Sequence, residues 1–166
     1  MITKQIKELE NLIDKEIDGY KNIEKLYTDK KEILIKGKAT DLYDVDAKII
    51  NTYKTISDLS EARKNVTKSL DIPTFSITDI INKIKNTDEQ TAKKLEQKKA
   101  EVNKLAKRIY KLEKINIELT KHGLLLTGKT IEAMLKGVTT VNNEYNAKGQ
   151  NITDDRLKMS SIVEEA

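Results

Sequence analysis

Between Gly123 and Thr130 the chain reads Gly-Leu-Leu-Leu-Thr-Gly-Lys-Thr, which matches the phosphate-binding pattern G-x-x-x-x-G-K-[ST] letter for letter. The chemistry behind that pattern has structural requirements: a strand leading into the loop, amides turned inward onto phosphates, and a later strand delivering an aspartate to magnesium. Here the residues before Gly123 keep helical spacing, leucines fill the loop, and 36 residues follow Thr130, too few for the rest of a sheet. The match is therefore read as accidental, and no nucleotide or other cofactor is expected.

The remaining chemical candidates are weaker. Nine basic residues against three glutamates between Lys93 and Lys114 could attract nucleic acid. Most of these lysines, Lys104, Lys107 and Lys111 among them, fall opposite the helical seam, where lysine ordinarily confers solubility, and no aromatic array accompanies them. Arg63 falls on an apolar seam, where its stem can pack while its head finds an acid or a carbonyl; no nucleophile or base is placed with it, so a structural ion pair is expected. His122 is the single histidine and cysteine is absent, which leaves no metal-ligating set. No catalytic residue is assigned, and the chain is not expected to be an enzyme.

The elements explain what the sequence is built to do. One proline, six glycines and 35% charged residues in 166 indicate a strongly helical chain, and 4% aromatics with no tryptophan favour narrow seams over a thick core. The basic and acidic residues, 31 and 27, are finely mixed, as on solvated helix faces. The N-terminus has no continuous apolar run of the signal-peptide kind, and no stretch approaches the ~20 apolar residues of a membrane span; a cytoplasmic protein with no membrane insertion is expected.

A first helix is predicted from about Ile2 to Lys36, with Ile6, Leu9, Ile13, Ile17, Tyr20, Ile23 and Tyr27 on one side and Gly37 as its stop. Thr40 or Asp41 should accept the first amides of a second helix, 41–70, in which Leu42, Ile49, Ile56, Arg63 and Leu70 interleave with Val45, Thr52, Leu59 and Val66 at seven-residue spacing. Pro73 breaks the pattern. A short helix (77–86) follows, then a Thr87/Gln90 capping box opens a long helix, 88–145. In that helix Leu95, Val102, Leu105, Ile109, Leu112, Asn116 and Leu119 keep heptad order, with Asn116 placed to fix register. Beyond His122 the apolar stripe widens. Leu124, Leu125 and Leu126 lie about 100° apart around the helix, more than one seam covers, so this surface should seek a second partner. Residues 146–166 read as a flexible tail.

Three passages resemble the flagellar export chaperones of the FlgN type. Glu24-Lys25-Leu26-Tyr27 through Ile33-Leu34-Ile35-Lys36-Gly37 is similar to the end of that family's first helix. Asp41-Leu42 through Ile49-Ile50, with Leu59, Glu61-Ala62-Arg63 and Leu70, is similar to its second. Tyr145-Asn146-Ala147-Lys148-Gly149-Gln150 and Ser161-Ile162-Val163-Glu164-Glu165-Ala166 resemble its tail. One departure is that paired asparagines often precede a Leu-Leu step in the family's last helix, whereas this chain has Asn116 and then His122-Gly123-Leu124-Leu125. The resemblance implies a cytoplasmic chaperone that holds hook-associated, or hook-filament junction, proteins and hands them to the type III export gate.

The combined expectation is an all-α protein: an elongated antiparallel helical bundle or coiled coil of three long helices plus a short one over 1–145, with a flexible C-terminal tail. Leu124, Leu125, Ile131, Met134, Leu135, Val138 and Val141 are expected to bind the client's terminal helices. For Tyr145 the resemblance implies contact with the export gate. The alternative is a self-associating coiled-coil scaffold without a secreted client, in which the same stripe closes a homodimer.

Overall fold

The computed structural model describes residues 2–70, 72, 76–85 and 88–141, with side-chain surroundings for those between 4 and 137. Within these segments the chain is helical: α1 (Ile2–Lys36), a 3-10 turn (Ala39–Asp41), α2 (Leu42–Ser69), α3 (Ile77–Lys85) and α4 (Glu89–Val141). Backbone proximity divides the chain into two units, Met1–Thr120 and Lys121–Ala166. The expected tail, 146–166, lies outside the described residues.

The helix ends follow local chemistry. Gly37 takes φ +67°, the left-handed conformation a side chain resists, and this lets its amide donate to the Leu34 carbonyl and the Lys38 amide to that of Ile33. The expected cap of α2 by Thr40 or Asp41 is not what forms. Asp41 precedes α2 with helical dihedrals, φ −81° and ψ −11°, and its side chain makes no capping bond. A carboxylate reaches forward amides from an extended backbone, and the 3-10 turn occupies that position instead. Ser76 Oγ accepts the Thr78 amide at the start of α3. The Thr87/Gln90 box involves Thr87, which lies outside the described residues; Asp88 caps α4. Its Oδ1 accepts the Thr91 amide at 2.9 Å and its Oδ2 the Thr91 hydroxyl at 2.7 Å. These bonds favour the charged carboxylate and hold Asp88 below its usual range. Its contribution to stability is therefore in place above the ordinary carboxylate range and is lost as pH falls through the lowered value.

In the first unit, α1 is the shared helix. It runs antiparallel to α2, as Gln5 with Ser69, Glu16 with Arg63, Asn22 with Thr52 and Lys30 with Asp46 demonstrate. It runs parallel to α4: Lys98 meets Glu10 and Asp14, Lys21 meets Glu101, Arg108 forks onto Glu24, and Asn116 reaches Tyr27. Successive long helices are thus antiparallel, and the first and third are necessarily parallel.

Two apolar clusters fill this unit. One gathers Ile6, Leu9, Ile13 and Ile17 with Ile72, the α3 isoleucines Ile80, Ile81 and Ile84, and Ala92, Leu95 and Leu105. The other gathers Ile23, Leu26 and Tyr27 with Val45, Ile49, Ile56 and Ile109. Each fully buried aliphatic side chain contributes about 1.5–3 kcal/mol over its exposed state. Tyr20 touches both clusters. Burial first, and the nearby Glu16 second, raise its phenol above the usual range.

Near this junction lie two features that position α1 against α2. Gly19 faces Ile56 so closely that a Cβ there would sit 2.6 Å from Ile56 Cγ1. One turn before it, Arg63 Nε donates to Glu16 Oε1 at 2.7 Å, with both side chains almost wholly buried. The structural ion pair expected for Arg63 is present. Asn116 is buried on the α4 seam, as its heptad position implies; its Nδ2 donates to the Tyr27 carbonyl at 2.9 Å, while its buried Oδ1 has no hydrogen-bond partner among the described residues. An unmet acceptor of this kind costs about 1–3 kcal/mol.

Two stability outcomes are expected. Gly19→Ala gains about 1 kcal/mol of helix propensity but overpacks Ile56 at a cost of about 1–3 kcal/mol, so the urea midpoint falls. Gly128→Ala, whose Cβ would meet nothing within 4 Å, does not lower it. Arg63→Met strands the Glu16 carboxylate and destabilises by about 3–5 kcal/mol, and adding Glu16→Gln restores much of that loss; a double-mutant cycle by chemical denaturation measures both.

Candidate functional site

The second unit carries the surface that chemistry leaves unexplained. From Lys121 to Gly137 every described side chain is exposed. The backbone stays helical across Gly123 and Gly128. Thr127 Oγ1 donates to the Gly123 carbonyl at 3.0 Å, Thr130 Oγ1 donates to that of Leu126 at 2.9 Å, and Lys136 pairs with Glu132 one turn earlier. Such an exposed i,i+4 pair supports the helix by about 0.2–0.5 kcal/mol.

On this scaffold sit six large apolar side chains. Leu124 is 69% exposed, Met134 66% and Leu125 57%, and Leu126, Ile131 and Leu135 are each close to half exposed. Leu124 and Ile131 are seven apart and project nearly in line, with Met134 and Leu135 one turn beyond. Leu125 and Leu126 carry the apolar surface further round. An apolar face of this extent goes beyond scattered surface hydrophobics and marks a candidate interaction surface. Of the expected client-binding residues, α4 brings Leu124, Leu125, Ile131, Met134 and Leu135 onto one short stretch. Val138 and Val141 are on the same helix, but their side chains lie outside the described residues, as does Tyr145 entirely. Leu126 belongs to the exposed surface too, although it was not among the expected contact residues; its place in the leucine triplet was the available signal.

The phosphate-binding pattern finds no loop to act in. Gly123–Thr130 lie inside α4, so the amides that would cradle phosphate are committed to the helix ladder. His122 is exposed on the same helix. Among the described residues no group of three or more His, Asp or Glu side chains could hold a metal ion, and no helix is long and apolar enough to cross a membrane.

The basic residues of α4 divide in two. Lys93, Lys98 and Arg108 pair with carboxylates, the last two with α1, and Lys99 donates to Thr78. Lys104, Lys107 and Lys111 have no carboxylate within ion-pairing distance among the described residues. A groove of about 470 Å³ between α1 and α2, lined by Lys15, Asp18, Gly19, Asn22, Thr52 and Leu59, holds none of the expected site residues.

Sequence reasoning did not single out Glu16 or Gly19. Glu16 had one legible signal: it interrupts the apolar side of α1 beside Ile13 and Ile17. Nor did it single out the exposed Tyr110 and Ile117, whose signal was that Tyr110, Ile117 and Leu124 follow one another at intervals of seven.

Against models of known protein families, residues 1–153 match the one described as FlgN protein. No curated protein and no solved structure matches the chain.

Proposed function

Since the chain belongs to the FlgN family of flagellar export chaperones, we propose that it binds the helical terminal region of hook-associated proteins in the cytoplasm, prevents their premature association, and delivers them to the type III export gate. The observation that carries this reading is the exposed run Leu124, Leu125, Ile131, Met134 and Leu135 on α4. A client helix laid along it would bury apolar faces on both sides, and burying a leucine or methionine contributes about 1.5–3 kcal/mol. Val138 and Val141 extend the same stripe in sequence.

Holding a client in this way needs no catalysis. The amphipathic terminal helices of a secreted subunit would associate with one another if left bare, and a chaperone helix that covers their apolar face removes that route. Handover then requires contacts weak enough to exchange. The chaperone acts by surface complementarity, with no cofactor and no bond made or broken, and it binds no nucleic acid. Tyr145 is proposed as the contact to the export gate, on the resemblance of the Tyr145–Gln150 segment to the family's tail.

The same exposed seven-spaced residues also favour the alternative, a self-associating scaffold in which two copies bury each other's stripe. Met134→Asp combined with Leu135→Asp separates the two. The variant should keep the helical circular dichroism of the parent yet bind hook-associated terminal helices more than about 100-fold less tightly. Unimpaired binding overturns the assignment, and a parent dimer in concentration-dependent light scattering that ignores these clients supports the scaffold. Deleting residues 146–166 should leave client affinity unchanged and weaken binding to the purified export-gate cytoplasmic domain; unchanged gate binding removes the role given to the tail.

A further inference from the structure

The middle of α4 has a second exposed face, within the first unit, that neither the bundle nor the reading above uses. Tyr110 is 57% exposed and Ile117 46%. At 100° per residue they lie about 20° apart and about 80–160° from the seam of Leu105, Ile109, Leu112 and Asn116. Lys107, Lys111 and Lys114 border them along one side, about 40–100° round from Tyr110, with Lys104 just beyond; Glu118, at about 80°, is the acidic residue on this flank and sits at its C-terminal end. Lys114 Nζ stands 4.9 Å from the centre of the Tyr110 ring. The other three lysines are those without a carboxylate partner among the described residues, in contrast to Lys98 and Arg108 on the face of α4 turned to α1.

We propose that this face, from Lys104 to Ile117, is a docking track for an acidic amphipathic helix of the client. The inference rests on the chaperone reading and adds the partner's chemistry: an apolar stripe set over Tyr110 and Ile117, with aspartates or glutamates along the edge that meets Lys104, Lys107 and Lys111. The charge pattern selects an acidic occupant. The helical spacing of the two apolar residues selects a helix over nucleic acid, since an isoleucine offers no stacking surface and Lys114 lies against the tyrosine ring. The track confers orientation as well as affinity, because lysines on one flank alone make the two directions and rolls of a bound helix unequal.

The test uses the full chain and two synthetic peptides. One is the terminal helical segment of a hook-associated protein from the same cells; the other is that segment with the carboxylates beside its apolar stripe changed to amides. Lys104→Gln with Lys107→Gln and Lys111→Gln should weaken the first peptide about tenfold at low salt, have little effect near 0.5 M salt where the Debye length is only a few ångströms, and leave the amide peptide unaffected. Tyr110→Ala with Ile117→Ala should weaken both peptides at either salt concentration. If the lysine variant binds both peptides as the parent does, with the same salt dependence, the lysines are a solvated face and the proposal falls. Should the lysine variant lose only the binding of a short single-stranded RNA that the parent retains, the face belongs to nucleic acid and the proposal falls equally. A parent that binds neither peptide overturns the chaperone reading and this inference together. Binding sensitive to Met134→Asp with Leu135→Asp, but indifferent to both the lysine and the Tyr110/Ile117 variants, overturns this inference alone.

Discussion

The close approach of α1 and α2 at Gly19, locked by the buried contact of Glu16 with Arg63, is the constraint on which the first unit depends. A glycine lets one helix surface meet the flank of Ile56 directly. Sliding α2 by a turn would both drive other side chains into that contact and part the ion pair. Because a buried charge without its partner is far more costly than a paired one, arrangements of α2 that part the pair are disfavoured. The polar bonds at either end, Gln5 to Ser69 and Lys30 to Asp46, agree with that register.

From this fixed α1–α2 pair follows the placement of α4. With α1 and α2 joined side by side, the apolar residues of α1 that α2 leaves uncovered need a third helix, and α3 with its three buried isoleucines closes the end where α4 begins. Ion pairs from Lys98 and Arg108 to α1 add direction, and Asn116 adds one polar bond to the Tyr27 carbonyl. That single bond favours one offset of α4, since an aliphatic side chain at the Asn116 position would accept several equally well.

Within the second unit no comparable constraint acts on the described side chains. There the helix is supported by local means, namely back-bonding threonines and an i,i+4 ion pair, and its apolar surface is exposed. One unit is specified by buried polar contacts that favour a single arrangement, and the other presents exposed leucine and methionine side chains, which are flexible and apolar.

Much of this was legible in the residues themselves, because helices are local structures. The seven-residue ladder of α2, the stop at Gly37, the break around Pro73, the buried place of Asn116 and the over-wide stripe after His122 all follow from spacing along one segment. The chain by itself therefore determined an all-α fold and an apolar face in excess of one seam. What required tertiary structure were the partners across segments: Glu16 for Arg63, Ile56 against Gly19, Tyr27 for Asn116, and the division of lysines into paired and unpaired sets. A carboxylate on a helix looks the same in sequence whether it meets water or a guanidinium, and only the packing of α1 between α2 and α4 decided which.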